Sequence, residues 1–462
     1  MRKKRKKVKS RAVAALILLS VLLAAWLFQA RLEGKKPALI FNDSIDAIGI
    51  SQDISISVAD AESGLRRFAI SVSSLSKDGG KNDLFNKDFP YAGITKGGKA
   101  KSESFNIPVE PGKLGIPDGV AKLRVMVVDY SWRRFFRGNR TYVEKNINID
   151  TKPPQIRVIS RTHDLIQGGG GLVVYRVSEP CRESGVRVGD SFYPGYSGHF
   201  KDKNIFLAFI ALRHNQRQGT LIFAEAVDMA GNRAKAGFSY YIIKKKFKTD
   251  VIKISDSFLN WKMPEFATEI PQNLKMSPID NFLFVNRELR EKNSGELKKI
   301  CKKTDKSMLW DGRFSRLPRS ARRAGFADYR IYKYKGKTID YQTHFGIDLA
   351  SVAKANVPAA NHGRVAGTGV FGIYGKTVVI NHGQNLFSLY AHLSQIYAQE
   401  GQTVKKGDII GRTGTTGFAA GDHLHFGMLI NGVFVNPGEW WDSVWIEKNI
   451  SRKIENAWRL SE

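Results

Sequence analysis

The first thirty residues set a basic block beside an apolar run. Arg2, Lys3, Lys4, Arg5, Lys6, Lys7, Lys9 and Arg11 precede an uncharged stretch from Ala12 to Phe28. That stretch of about 17 residues reaches the short end of the roughly 17 to 25 that span hydrocarbon, and it exceeds a typical signal core. The basic flank stays cytoplasmic under the positive-inside rule, which puts everything after Arg31 on the far side. The nearest cleavage candidate, Phe28-Gln29-Ala30, carries bulky Phe28 where a small residue is wanted. The pattern therefore predicts a cytoplasmic tail over 1–11 and a transmembrane signal anchor over 12–30. The chain is expected to be a single-pass protein of the cytoplasmic membrane, its bulk exported to the periplasm or wall side.

Beyond the anchor the period changes to two. Ile54-Ser55-Ile56-Ser57-Val58 and Leu123-Arg124-Val125-Met126-Val127-Val128 alternate or run apolar between Gly, Pro, Asp and Ser, as short antiparallel strands do. Asp150-Thr151-Lys152-Pro153-Pro154 interrupts them, because paired prolines stop a ladder and stiffen a connection. A second strand-rich stretch runs on to about Phe247. The two stretches end alike, in Val127-Val128-Asp129-Tyr130-Ser131 and Ala226-Val227-Asp228-Met229-Ala230-Gly231-Asn232. These endings resemble the terminal hairpins of bacterial immunoglobulin-like domains. Two immunoglobulin-like β-sandwich units are expected, over 37–150 and 151–247.

Residues 248–335 read as a helical and irregular linker. Ser277-Pro278-Ile279-Asp280 combines an N-cap, a proline at the first helical position and an acid at the third, so a helix is expected to start there. Asn293-Ser294-Gly295 is expected to break it. The linker lies just before the histidines described below and is expected to pack near them and limit access. It is also basic, like the whole chain, in which 73 Lys and Arg face 43 Asp and Glu for a formal charge of +30. Such charge favours anionic partners. A basic block adjoining a membrane-length run is explained by topology, so no nucleic-acid partner is expected. Two cysteines, Cys181 and Cys301, without any C-x-x-C, give neither a zinc ribbon nor a disulfide framework.

The last third, over 336–445 with a tail at 446–462, reads as a compact all-β domain with tight hairpins. Gly363-Arg364-Val365-Ala366-Gly367, Thr377 to Gly383 and Leu386 to Leu393 follow closely, joined by glycine turns. Gly367-Thr368-Gly369-Val370-Phe371-Gly372 satisfies a dinucleotide fingerprint, yet a β run and not a helix follows it. It reads as a hairpin. No H-E-x-x-H or G-x-S-x-G occurs.

Four histidines and an aspartate concentrate in this domain. His344-Phe345-Gly346-Ile347-Asp348 offers an imidazole and a carboxylate, Tyr390-Ala391-His392-Leu393 a second imidazole, and Gly421-Asp422-His423-Leu424-His425-Phe426-Gly427 two more. On a strand, i and i+2 share a face, so His423 and His425 point together while Leu424, Phe426, Met428 and Ile430 face the core. The same alternation puts His392 on one face with Ser388 and Tyr390, opposite Phe387, Leu389 and Leu393. Asn431-Gly432 closes a hairpin. A hydrolytic zinc site takes three nitrogen or oxygen ligands and keeps a position for water, while further imidazoles move protons or steady an oxyanion. One carboxylate and several imidazoles suffice for both tasks.

His344-x-x-x-Asp348, Tyr390-Ala391-His392-Leu393 and His423-Leu424-His425-Phe426 together resemble the lysostaphin/LytM-type zinc metallopeptidases, peptidoglycan endopeptidases with a duplicated-hybrid-motif β fold. The likeness includes the glycine-rich stretches Gly401 to Gly411 and Thr413 to Gly417 and covers roughly Ile339 to Trp441. It implies Zn2+ on His344, Asp348 and His425, with His392 and His423 as general base and transition-state stabiliser. It implies a peptide of peptidoglycan as substrate, as the exported topology also suggests. Asp422 departs from the proline many relatives carry before the H-x-H pair. Two other roles stay open: a catalytically silent activator of another wall hydrolase, and an exported adhesion or scaffold protein acting through its sandwiches. No particular protein partner is implied.

Overall fold

A computed structural model describes residues 2–75, 80–271 and 276–460, and the chain is mainly β. It divides into two compact units, residues 1–153 with 227–233, and residues 154–226 with 234–462.

The first unit opens with the helix Arg2–Arg31, whose Ser10–Gln29 stretch has a mean hydropathy of 2.3 and contains no buried residue. Two sheets follow. One orders the strands Ala38–Phe41, Gln52–Ala59 and Ser102–Val109; the other orders Ala47–Ile48, Arg140–Ile149, Gly119–Asp129, Leu65–Ser74 and Lys81–Asp88. Alternation sends Ile54, Ile56 and Val58 from the first and Leu123, Val125 and Val127 from the second into one shared core.

The two similar endings noted in the sequence make the same clasp. Asp129 N donates to Asn139 O (3.1 Å), Asn139 N to Asp129 Oδ1 (2.7 Å) and Asn139 Nδ2 to Asp129 Oδ2 (2.9 Å). Asp228 and Asn232 repeat all three bonds at 3.1, 2.8 and 2.8 Å. In each case the amide nitrogen also reaches the carbonyl of an incoming segment, at Lys35 and at Asp150. The Asp228–Asn232 clasp lies within one short motif, whereas Asn139 stands ten residues after Asp129, outside the compared stretch.

In the second unit the strand-rich stretch shares its core with the C-terminal domain. One apolar core runs from Leu165, Leu172 and Phe209 through Trp310, Ile347 and Phe426 to Trp440 and Ala457. Gly170 N donates to Glu439 Oε2 (2.8 Å), and burial pushes the Glu439 carboxyl up to about 8. The tail is docked as well: in the helix Arg452–Arg459, Lys453 Nζ donates to Leu172 O (3.0 Å) and Ala457 is buried.

Residues 248–335 form helices and strands. The strand Thr249–Ile254 pairs in parallel with Asp328–Tyr334, which pairs with Lys337–His344. The helices Asp256–Lys262, Pro278–Phe284 and Arg290–Ile300 bury Leu259, Phe282 and Leu297 in a core shared with Val379, Phe387 and Leu429. The capping box at Ser277 and Asp280 is present as the sequence predicts. The break expected at Asn293-Ser294-Gly295 is not, and the helix passes through it. Ser294 Oγ donates to Arg290 O within the helix, and buried Asn293 accepts from Ile373 N (3.0 Å). Gly295 costs about 1 kcal/mol relative to alanine, which such tertiary contacts outweigh.

The C-terminal domain is built on a ten-stranded sheet in which Ile347–Ala350, Leu424–Ile430, Leu386–Ile396, Lys376–Asn381 and Gly363–Val370 lie side by side. Asn431 and Gly432, with φ of 50° and 74°, close the predicted hairpin in the left-handed region that a two-residue turn requires.

Candidate metal centre

Strand register brings three distant residues to one point. His344 ends the strand Lys337–His344, and Asp348 sits in Ile347–Ala350 directly opposite His425 of Leu424–Ile430. His344 Nε2 lies 2.9 Å from Asp348 Oδ1 and 3.0 Å from His425 Nδ1, and His425 Nδ1 lies 2.9 Å from Asp348 Oδ1. All three side chains are buried. Bonds of about 2.0–2.1 Å to a tetrahedral ion would span edges of roughly 3.3 Å, so a triangle of this size and donor type fits one small divalent cation. These residues can hold a metal ion.

The surroundings fix each ligand. His344 Nδ1–H donates to Gly325 O (2.8 Å), which leaves the Nε2 lone pair facing the triangle. Arg330 Nη2 donates to Asp348 Oδ2 (3.0 Å), so one carboxylate oxygen is tied to a guanidinium while the other faces the imidazoles. Gly346 lies against His425: a Cβ there would stand 2.4 Å from its Cε1 and Nε2. Burial alone would raise the Asp348 carboxyl, but the His344 imidazole and the bonds from His344, His423 and His425 hold it well below the carboxylate range. Burial pushes His425 down to about 4.

His392 and His423 complete the cluster, with ring centroids 4.9 Å apart and His392 5.7 Å from His425. His392 Nδ1–H donates to Thr416 O (2.9 Å) and His423 Nδ1–H to Gly421 O (2.7 Å). Each therefore presents Nε2, that of His423 lying 3.5 Å from Asp348 Oδ1. Burial, followed by the neighbouring imidazoles, holds His392 well below the imidazole range. For His423 burial acts downward, but the bond and charge of Asp348 outweigh it and raise the ring.

The face expected for His392 is wrong, for a specific reason. Lys376 pairs with Leu393 and Val378 with Tyr390, so the strand Leu386–Ile396 carries an extra residue, and His392 has a φ of 62°. A bulge with a left-handed residue inverts the alternation. Tyr390 and Leu393, three apart, now share one core, whereas His392 turns to the side of His425.

The five residues line a cleft of about 600 Å³ whose other wall includes Ile254, Phe258 and Phe282 of the 248–335 segment. That segment also braces the His392 loop. Lys262 is fully buried and donates to Glu265 Oε1 (2.7 Å) and Thr415 O (2.6 Å), while Gly417 N donates to Glu265 Oε2 (3.1 Å). Between Thr415 and Gly417 stands Thr416, whose carbonyl orients His392. The sequence reading missed Arg330, Lys262 and Thr416, which reach the site through tertiary pairing. Gly346 was visible inside the motif and could have been flagged as a close-approach glycine.

Residues 342–437 match Peptidase family M23. The chain is 41% identical over 97 residues to DD-carboxypeptidase/endopeptidase Mpg of Neisseria meningitidis serogroup B, covering 21% of this chain and 22% of that protein. It is 38% identical over 93 residues to the peptidoglycan DD-endopeptidase ShyA of Vibrio cholerae, covering 20% and 22%. The matches thus span little more than a fifth of these curated relatives. Among solved structures, the catalytic domain of lysostaphin from Staphylococcus simulans aligns at 24% identity and a TM-score of 0.25, covering 28% of this chain and 98% of that one. Over residues 342–437, then, the chain carries a region that matches Peptidase family M23.

Proposed function

We propose that the protein is a membrane-anchored zinc metallopeptidase that hydrolyses peptide bonds of peptidoglycan cross-links. The observation that supports this most is the buried triangle of His344, Asp348 and His425 opening onto a cleft. Two imidazoles and one carboxylate are the donor set of a hydrolytic zinc site. All three ligands stand in place, which speaks against a silent activator. Zinc bound there would supply Lewis acidity toward the scissile carbonyl and an attacking water. Burial keeps His392 neutral, and with Nδ1–H committed to Thr416 its Nε2 is free to accept the proton of that water. His423 faces the same space, and in its protonated form, which Asp348 favours, its Nε2–H would donate to the developing oxyanion. Arg330 and Gly325 keep Asp348 and His344 aimed. The basic residues before Ser10 and the span Ser10–Gln29 support export of the chain beyond that span to the wall side of the cytoplasmic membrane.

Purified full-length protein incubated with sacculi should release cross-link peptides identifiable by mass. Chelation should stop the release and added zinc restore it. Intact sacculi in the presence of zinc-loaded protein would reject the proposal.

The Lys262 brace gives a further expectation. Lys262→Met should lower kcat by about 10- to 100-fold, the usual weight of an outer-shell orienting contact, with KM and zinc content little changed. Lys262→Arg should recover part of the loss. An unchanged kcat in folded Lys262→Met would show that the loop holds His392 without the brace.

A further inference from the structure

The first unit displays a turn that its own fold does not use. Trp132-Arg133-Arg134-Phe135-Phe136-Arg137 joins the strands Gly119–Asp129 and Arg140–Ile149. Phe135 is 96% exposed, the highest of any large hydrophobic side chain among the described residues, and Phe136 is 67% exposed. Both stand in water at an apolar cost. The backbone is also strained, since Arg134, Phe135 and Phe136 take φ of 52°, 54° and 63° in succession. Three consecutive non-glycine residues in the left-handed region persist only where the surroundings impose them, and such strain gathers where a segment has a task.

What imposes it is the exit of the N-terminal helix. Trp132 N donates to Arg31 O and Arg133 Nε to Leu32 O, both at 2.8 Å. The Trp132 ring meets Phe28 edge-on at 5.7 Å and lies under the Arg31 guanidinium. Arg31 itself is buried, and Arg66 Nη1 holds Phe136 O at 2.8 Å. Phe28 is next to last in the apolar span Ser10–Gln29. The turn is therefore pinned at the level where that span leaves hydrocarbon, the depth at which aromatic rings and arginines favour the membrane interface.

We propose that residues 132–137 are a second membrane contact, in which Phe135 and Phe136 enter the headgroup–acyl boundary of the bilayer crossed by Ser10–Gln29. Arg133, Arg134 and Arg137, all exposed, meet its anionic headgroups. The inference rests on reading Ser10–Gln29 as a retained span. Attachment at two points removes the freedom of the first sandwich to swivel about a single helix.

The test uses the full chain in vesicles of phosphatidylethanolamine and phosphatidylglycerol. Cys181→Ser removes the accessible thiol; Cys301 is buried and its thiol is pushed up to about 12, so it stays unlabelled. Single cysteines replace Leu19 in the span, Phe135 or Phe136 in the turn, and Val120 at the far end of the strand Gly119–Asp129. Each carries an environment-sensitive fluorophore, read against a lipid-borne quencher placed just below the headgroups. The labels at 135 and 136 should be quenched about twofold or more, as for an interfacial segment, with that at 120 unaffected. Quenching at 19 with none beyond the control at 135 and 136 overturns the contact alone. Absence of quenching at 19 overturns the span, and the proposal with it.

Discussion

Substituting His344, Asp348 or His425 by alanine is expected to strip the protein of zinc and to lower kcat/KM by roughly 10³-fold or more, the several kcal/mol that a Lewis acid contributes to carbonyl attack. The reason lies in how little else the triangle can rely on. Its atoms sit 2.9–3.0 Å apart, with His344 held by Gly325 and Asp348 by Arg330, so loss of any one side chain removes a third of the donor set. Asp348→Asn separates charge from shape, because the amide fills the same space without an anion for the cation. Zinc content by mass spectrometry, read beside the thermal transition, distinguishes loss of metal from loss of fold. A folded, zinc-depleted variant that still cleaves sacculi would rule out the metal mechanism.

The second large effect is expected at His392. Removing its imidazole should cost about 10²- to 10⁴-fold in kcat, the usual range for a general base, with zinc retained. Its φ of 62° makes the choice of replacement important. Alanine is strained in the left-handed region, whereas asparagine enters it readily, and its amide can still donate toward Thr416 O. His392→Asn therefore tests the proton acceptor with the backbone left at ease. Equal kcat in His392→Asn and the parent would mean that the base is elsewhere, with His423 the nearest alternative.

The short spacings of His344 with Asp348 and of His423 with His425 were legible in the sequence, whereas the choice of His344, Asp348 and His425 as ligands came from the family resemblance; the structure brings these three together. Period two then predicted correctly that Leu424, Phe426, Met428 and Ile430 face the core. It failed at His392, where one inserted residue inverts the faces of a strand, and a bulge leaves no mark in the hydrophobic pattern. The helix through Asn293-Ser294-Gly295 was misread for a related reason. Polar and glycine residues signal an end only when nothing else binds them, and here Ile373 and Arg290 do. Arg330 and Lys262 went unseen because they reach the site through strand pairing and helix docking, which no local pattern reports. The N-terminal apolar helix was the simplest reading, since its length is compared with a bilayer and not with a fold.

The continuous core from Leu165 to Ala457 decides what can be cut out and transplanted. A fragment trimmed to 336–445 would lay bare Trp440, Phe426 and their neighbours, and would be prone to clump. Anyone grafting this site onto a foreign targeting module should carry it from about Pro154 onward, as a single cassette whose β-rich first part is its lining and not its handle.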